Sequence, residues 1–185
     1  MKKLFGILGS VVLCAVMACV ALTGCGDKTP KMEVVCEWNM GVDEGTTFLD
    51  LVPGCNLDKI DNAEAKDGKA IEVTVTSAGY ASILVTDMKT PMKATEMTMK
   101  VYASGEATVW LELTEYDPWE QLFAEDESGM PRQGSVMELK SGWNEYKLTL
   151  KRAVAGKLNT FCFKTTSSEA VTFLIDTVVW EKPAE

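Results

Sequence analysis

The sequence predicts an all-β fold, an antiparallel sandwich or barrel. Three observations predict it. From residue 33 onward apolar residues recur with period 2 far more often than with period 3.6. The apolar runs are short, as strands are. The breaks between them carry Gly, Asp or Ser, at Asp67-Gly68, Ser104-Gly105, Ser141-Gly142 and Ser167-Ser168.

The strand candidates, in order, are 33–38 (EVVCEW), 70–76 (AIEVTVT), 81–86 (ASILVT), 95–103 (TEMTMKVYA), 106–114 (EATVWLELT), 135–139 (SVMEL), 143–150 (WNEYKLTL), 158–165 (LNTFCFKT) and 171–181 (VTFLIDTVVWE). Each pairs β-branched, aromatic or other apolar residues with polar ones in alternation. One short helix is expected over about 118–125. Asp117 would cap it, Pro118 would open it and Glu120 would complete the capping pattern. It falls in the long connection between 106–114 and 135–139, and connections of that length are often functional.

The first residues are set apart from this fold. Lys2 and Lys3 precede an apolar stretch from Leu4 to Leu22, followed by Leu22-Thr23-Gly24-Cys25. This reads as a secretory signal peptide over 1–24, and its ending resembles a bacterial lipobox. That resemblance implies that Cys25 becomes the lipidated first residue of the mature chain. Acyl chains bind a membrane with roughly 0.8 kcal/mol per buried CH₂. Residues 25–32 would be a lipid-anchored tether and 33–185 the β-sandwich domain. The tether GDKTPKM reaches at most about 25 Å, so the domain would stand on the extracytoplasmic face close to the cell membrane.

Charge and composition narrow the function. The chain carries a formal charge of −9. Lys2 and Lys3 leave with the leader and no acid does, which takes the mature chain to −11. With Arg132 and Arg152 as its arginines, it is a poor candidate for nucleic acid or for anionic headgroups. Beyond Cys14 and Cys19 in the leader and Cys25, the cysteines are Cys36, Cys55 and Cys162. All three are read as reduced, with one disulfide involving Cys55 as the alternative. No histidine is present, which removes Ser-His and Cys-His nucleophile pairs. No Gly-rich phosphate loop occurs. The chain is read as a non-enzyme.

Alternation also proposes a binding face. In 106–114 Val109, Leu111 and Leu113 point one way, and Thr108, Trp110, Glu112 and Thr114 the other. In 95–103 the same reading buries Met97, Met99 and Val101 and exposes Thr98, Lys100 and Tyr102. Two strands would then present Trp110, Glu112, Tyr102 and Lys100 on one open sheet face. A flat ring packs on the C–H face of a sugar while charged and hydroxyl groups bond its hydroxyls. The alternative is that Trp110 is covered by the following connection as a second small core. Tyr116 and Trp119 either rim the same face or, for Trp119, pin the short helix. Lys164 is a further polar candidate or an ordinary solvated lysine.

The run FLIDTVVWEK, 173–182, raises a separate question. Uninterrupted alternation puts Leu174, Asp176, Val178 and Trp180 on one face. An ionised carboxylate among such neighbours needs a partner or water.

Four stretches in order resemble jelly-roll carbohydrate-binding modules, the galactose-binding-like β-sandwiches. VVCEWNMGVDEG resembles their opening strand and KDGKAIEVTV the next. SGWNEYKLTL resembles a Gly-Trp turn with its strand, and FLIDTVVWEK the closing strand. The resemblance spans roughly 33–182. It implies a jelly roll, a glycan ligand (plant, host or cell-wall polysaccharide), and a structural calcium where the first and last strands meet. The calcium ligands would be Asp176 with Glu37, Asn39 or Asp43. Carboxylates and backbone carbonyls suit that ion. Without calcium, Asp176 would be held by backbone N–H groups or a lysine. The function expected is a non-catalytic carbohydrate-binding lipoprotein. The alternative is a structural or protein-interaction module of a cell-envelope complex.

Overall fold

The computed structural model describes residues 30–41, 46–49, 56–76, 80–85, 88–116, 120–122 and 135–185; at 46–49, 56–59, 84–85, 120–121 and 159 only the backbone is described. The leader 1–24, Cys25, most of the tether, Asp43, Cys55 and Trp119 lie outside the described residues.

Twelve strands form among the described residues: β1 (Met32–Asn39), β2 (Thr46–Leu49), β3 (Asn56–Asp61), β4 (Lys69–Val75), β5 (Tyr80–Val85), β6 (Glu96–Ala103), β7 (Ala107–Tyr116), β8 (Glu120–Gln121), β9 (Val136–Leu139), β10 (Gly142–Thr149), β11 (Lys157–Lys164) and β12 (Val171–Pro183). They pair antiparallel in two sheets. The first runs β10-β6-β12-β4-β3, with β1 also on β12. The second runs β2-β5-β11-β7-β8, with β9 also on β7. The all-β sandwich is as expected, and every strand candidate forms within two residues of its expected ends.

Three strands were not expected. β2 and β8 are short, and in β3 (NLDKID) the adjacent charges Asp58 and Lys59 break the period of 2. β8 also corrects the helix over about 118–125. Glu120 and Gln121 pair with Glu115 and Thr114 at the end of β7. Leu122 N donates to Leu113 O at 2.8 Å, and Leu122 is buried. An acid followed by Pro marks a turn as readily as a helix start. Here the chain folds back on the strand it has just left.

The core lies between the sheets. Met97, Met99 and Val101 of β6 and Ile71, Val73 and Val75 of β4 line one side. Val109, Leu111 and Leu113 of β7 with Phe161 and Phe163 of β11 line the other. Aromatic rings bridge the layers. Trp38 lies 4.9 Å from Trp180 and 5.5 Å from Phe161, centroid to centroid, and Phe163 lies 5.3 Å from Phe173. Edge-to-face pairs of this kind favour close packing beyond simple burial.

The closing strand pairs with the opening one, as the resemblance implied. Residues 177–183 of β12 face β1, and residues 171–175 face β4. β1 and β4 thus lie end to end along one edge of β12, and Asp176 sits at their junction. There Met40 N donates to Asp176 O at 2.8 Å. A Cβ on Gly41 would lie 2.2 Å from Lys69 O, so only glycine fits where the two strands meet.

β12 also corrects the alternation expected for FLIDTVVWEK. Its register against β6 shifts between Ile175 and Thr177. Asp176 is the extra residue of a β-bulge, and one extra residue inverts the in-out parity. Phe173 and Ile175 before it, and Val178 and Trp180 after it, all enter the core. Leu174 packs outside, and Asp176 does not share a face with Val178 and Trp180.

Candidate functional site

The expected calcium position comes first. Asp176 is fully buried, with 0% exposure. Its Oδ2 meets Lys100 Nζ at 2.7 Å, and both of its oxygens accept from Lys66 N, at 3.1 and 3.0 Å. Glu37 is paired with the Lys66 ammonium, and Asn39 Nδ2 donates to Asp67. Asp176, Glu37 and Asn39 are therefore each already met by a side chain, and two ammonium groups stand where a dication would be drawn in; Asp43 lies outside the described residues. Among the described residues no group of three or more metal-ligating side chains gathers. Calcium takes roughly six to eight oxygens, so this donor set does not fit it. A lysine and a backbone N–H hold the carboxylate instead.

Lys100 continues outward from this pair. Its Nζ lies 4.9 Å from the Trp143 ring centroid, a cation–π contact. Trp143 lies opposite Tyr102 across β10 and β6, with centroids 5.5 Å apart. Trp143 Nε1 donates to Glu64 Oε2 at 2.9 Å. Ala65, from the β3–β4 loop, packs with Ala70 and Leu174 against Ile60, Tyr102 and Trp143. The outer face of the first sheet thus has a small second core, roofed by that loop.

The two-strand binding face is corrected at this point. Lys100 and Tyr102 belong to β6 in the first sheet, and Trp110 and Glu112 to β7 in the second. Ser104–Glu106 carries the chain across the sandwich between them. The outer faces of two packed sheets look away from each other, so the four side chains do not share one surface. Tyr116 is on β7 but six residues beyond Trp110, about 20 Å along the strand. It does not rim the same patch. Trp119 lies outside the described residues.

The second sheet carries its own row. Register pairs Val136 of β9 with Trp110, Trp110 with Lys164 of β11, and Lys164 with Tyr80 of β5. Buried Val109, Leu111 and Leu113 fix this as the outer face. Trp110 is half-buried and Tyr80 is 39% exposed. Two strand spacings separate them, about 10 Å. Lys164 is ion-paired with Glu112, so the charged pair lies beside the rings. Tyr80 escaped the sequence reading because it opens its strand next to Gly79, where alternation has not begun.

Glu115 escaped it too. It follows Leu113 on the inward parity of β7 and is buried. Arg152 pairs with it, and Ala155 N and Gly156 N donate to it at 2.6 and 2.7 Å. Burial pushes its carboxyl up, but the Arg152 hydrogen bond, the two N–H groups and the Arg152 charge together hold it below the ordinary range. It is a structural clamp on the 150–156 loop.

No family model and no curated protein matches this sequence. Solved structures do match by shape. A family 27 carbohydrate-binding module studied for specific mannan recognition superposes with a TM-score of 0.56 at 8% identity, over 83% of this chain and 99% of its own. A mutant family 29 carbohydrate-binding module made to probe ligand recognition gives 0.49 at 12% identity, over 82% and 90%. The chain has the jelly-roll sandwich fold of carbohydrate-binding modules.

Proposed function

We propose that this chain is a non-catalytic carbohydrate-binding lipoprotein, held by Cys25 on the outer face of a bacterial membrane. The row Trp110–Lys164–Tyr80 on the outer face of the second sheet supports it most. Two aromatic rings about 10 Å apart offer stacking surfaces for sugar rings. Lys164 and Glu112 supply donors and acceptors for hydroxyl groups between them. The sandwich it shares with a mannan-binding module supports the same reading, and the absence of histidine limits acid–base chemistry on the face. Affinity electrophoresis of the mature chain through gels of plant, host and cell-wall polysaccharides tests it. At least one should retard the protein; migration unaffected by all of them rejects the proposal. A protein-interaction role draws support from the short tether, and crosslinking of a fixed envelope partner would speak for that role.

A further inference from the structure

The outer face of the second sheet holds few charges near its two rings. Among the described residues these are Glu112 of β7, Lys164 of β11 and Glu138 of β9. Glu138 accepts from Thr108 Oγ1 at 2.7 Å. Lys157, opposite Tyr116, stands about 20 Å from Trp110 along the strands. Glu106 and Lys140 are exposed at the other end, about 13 Å from it. In sequence, the connection after β7 adds Asp117, Glu120, Glu125, Asp126 and Glu127 against Arg132. Lys164 is thus the cation that the rings have beside them.

Its place is central. Lys164 lies in register between Trp110 and Tyr80, so a glycan stacked on both rings passes over it. A free ammonium there would draw in a carboxylate, sulfate or phosphate. It is not free. Glu112 lies opposite Cys162, one residue pair further along β7 and β11, and Lys164 Nζ donates across this diagonal to Glu112 Oε1. The Glu112 side chain is 15% exposed and that of Lys164 32%. The carboxylate therefore sits deeper, with the ammonium between it and the surface.

That order treats charged and uncharged sugars differently. A hydroxyl can accept from one of the remaining ammonium N–H groups while the pair stays intact, because Lys has three donors. An anionic group gains full use of Lys164 only by pulling it from Glu112. The largely buried carboxylate is then left unpaired and faces a like charge, and both effects are costly. We propose that Glu112 is a specificity-determining residue of this face: by engaging Lys164 it admits uncharged sugars and shuts out acidic ones. This rests on the glycan reading and narrows it. Polyuronates, sulfated host glycans and phosphate-linked wall polymers drop out, and neutral polysaccharides remain. Specificity of this kind comes from a repulsive element as well as from attractive contacts.

The test uses the polysaccharide that retards the parent most in electrophoresis, and a batch of it whose primary hydroxyls have been oxidised to carboxylates. Affinities are read by tryptophan fluorescence titration at 0.15 M salt, where charges more than about 8 Å apart are largely screened. The parent should bind the oxidised batch at least about tenfold more weakly than the native one. In Glu112→Gln the oxidised batch should gain about tenfold, as Lys164 becomes available. The Glu112→Gln, Lys164→Gln double variant should show no such gain. Nor should Glu145→Gln, which makes the same change of charge at an exposed position of β10 in the first sheet. A parent that binds both batches equally, a most-retarding polysaccharide that is itself acidic, or a gain that persists without Lys164 overturns the proposal and leaves the glycan reading standing. Failure of every polysaccharide to retard the parent overturns both.

Discussion

Asp176 is a carboxylate that folding has closed off from water, and its neighbours decide what it does. Lys100 at 2.7 Å and the N–H of Lys66 satisfy it, while Trp143 covers the outer side of the ammonium. Removing one member of a buried pair strands the other. Lys100→Met should therefore cost about 3–5 kcal/mol in denaturant unfolding; a loss within experimental error would show that the pair does not hold the junction. EDTA or added calcium should leave the melting midpoint of the unsubstituted protein where it is, and a calcium-dependent rise would return Asp176 to metal binding. A carboxylate in an apolar run already announced that a partner was needed. Which partner was not legible, because Lys100 comes from β6, whose register the bulge resets.

Among the elements, β12 and its junction do most to organise the fold. The bulge at Asp176 turns Val178 and Trp180 back into the core, and Gly41 lets β1 and β4 meet beside it. In Gly41→Ala a new Cβ would press on a backbone carbonyl rather than on a yielding side chain. We expect a loss on the order of 1–3 kcal/mol, seen as a lower midpoint in thermal melts; an unaltered midpoint would mean that the strands part freely here. The strands with clean period 2, such as 96–103 and 107–113, were legible from sequence, since one buried face dictates the pattern. β3 was not, because Asp58 and Lys59 interrupt its apolar positions. β8 was hidden behind Asp117-Pro118, a pair that also fits a helix start.

For the whole molecule, alternation told inside from outside correctly but not which sheet a strand joins. Trp110 and Tyr102 were each placed rightly on an outer surface, yet the surfaces are opposite ones, because the Ser104–Glu106 connection crosses the sandwich. On the outer faces, the described residues show two aromatic sites: Tyr102 with Trp143 under the roof of the β3–β4 loop, and the spaced pair Trp110 and Tyr80 on the second sheet. The central claim is that the second is the glycan face. Affinity electrophoresis of Trp110→Ala and Tyr102→Ala in the most retarding polysaccharide separates them directly. Trp110→Ala should lose about tenfold or more in affinity at a melting midpoint within a few degrees of the parent, and Tyr102→Ala should bind as the parent does. Lost binding in Tyr102→Ala with binding kept in Trp110→Ala would contradict the account.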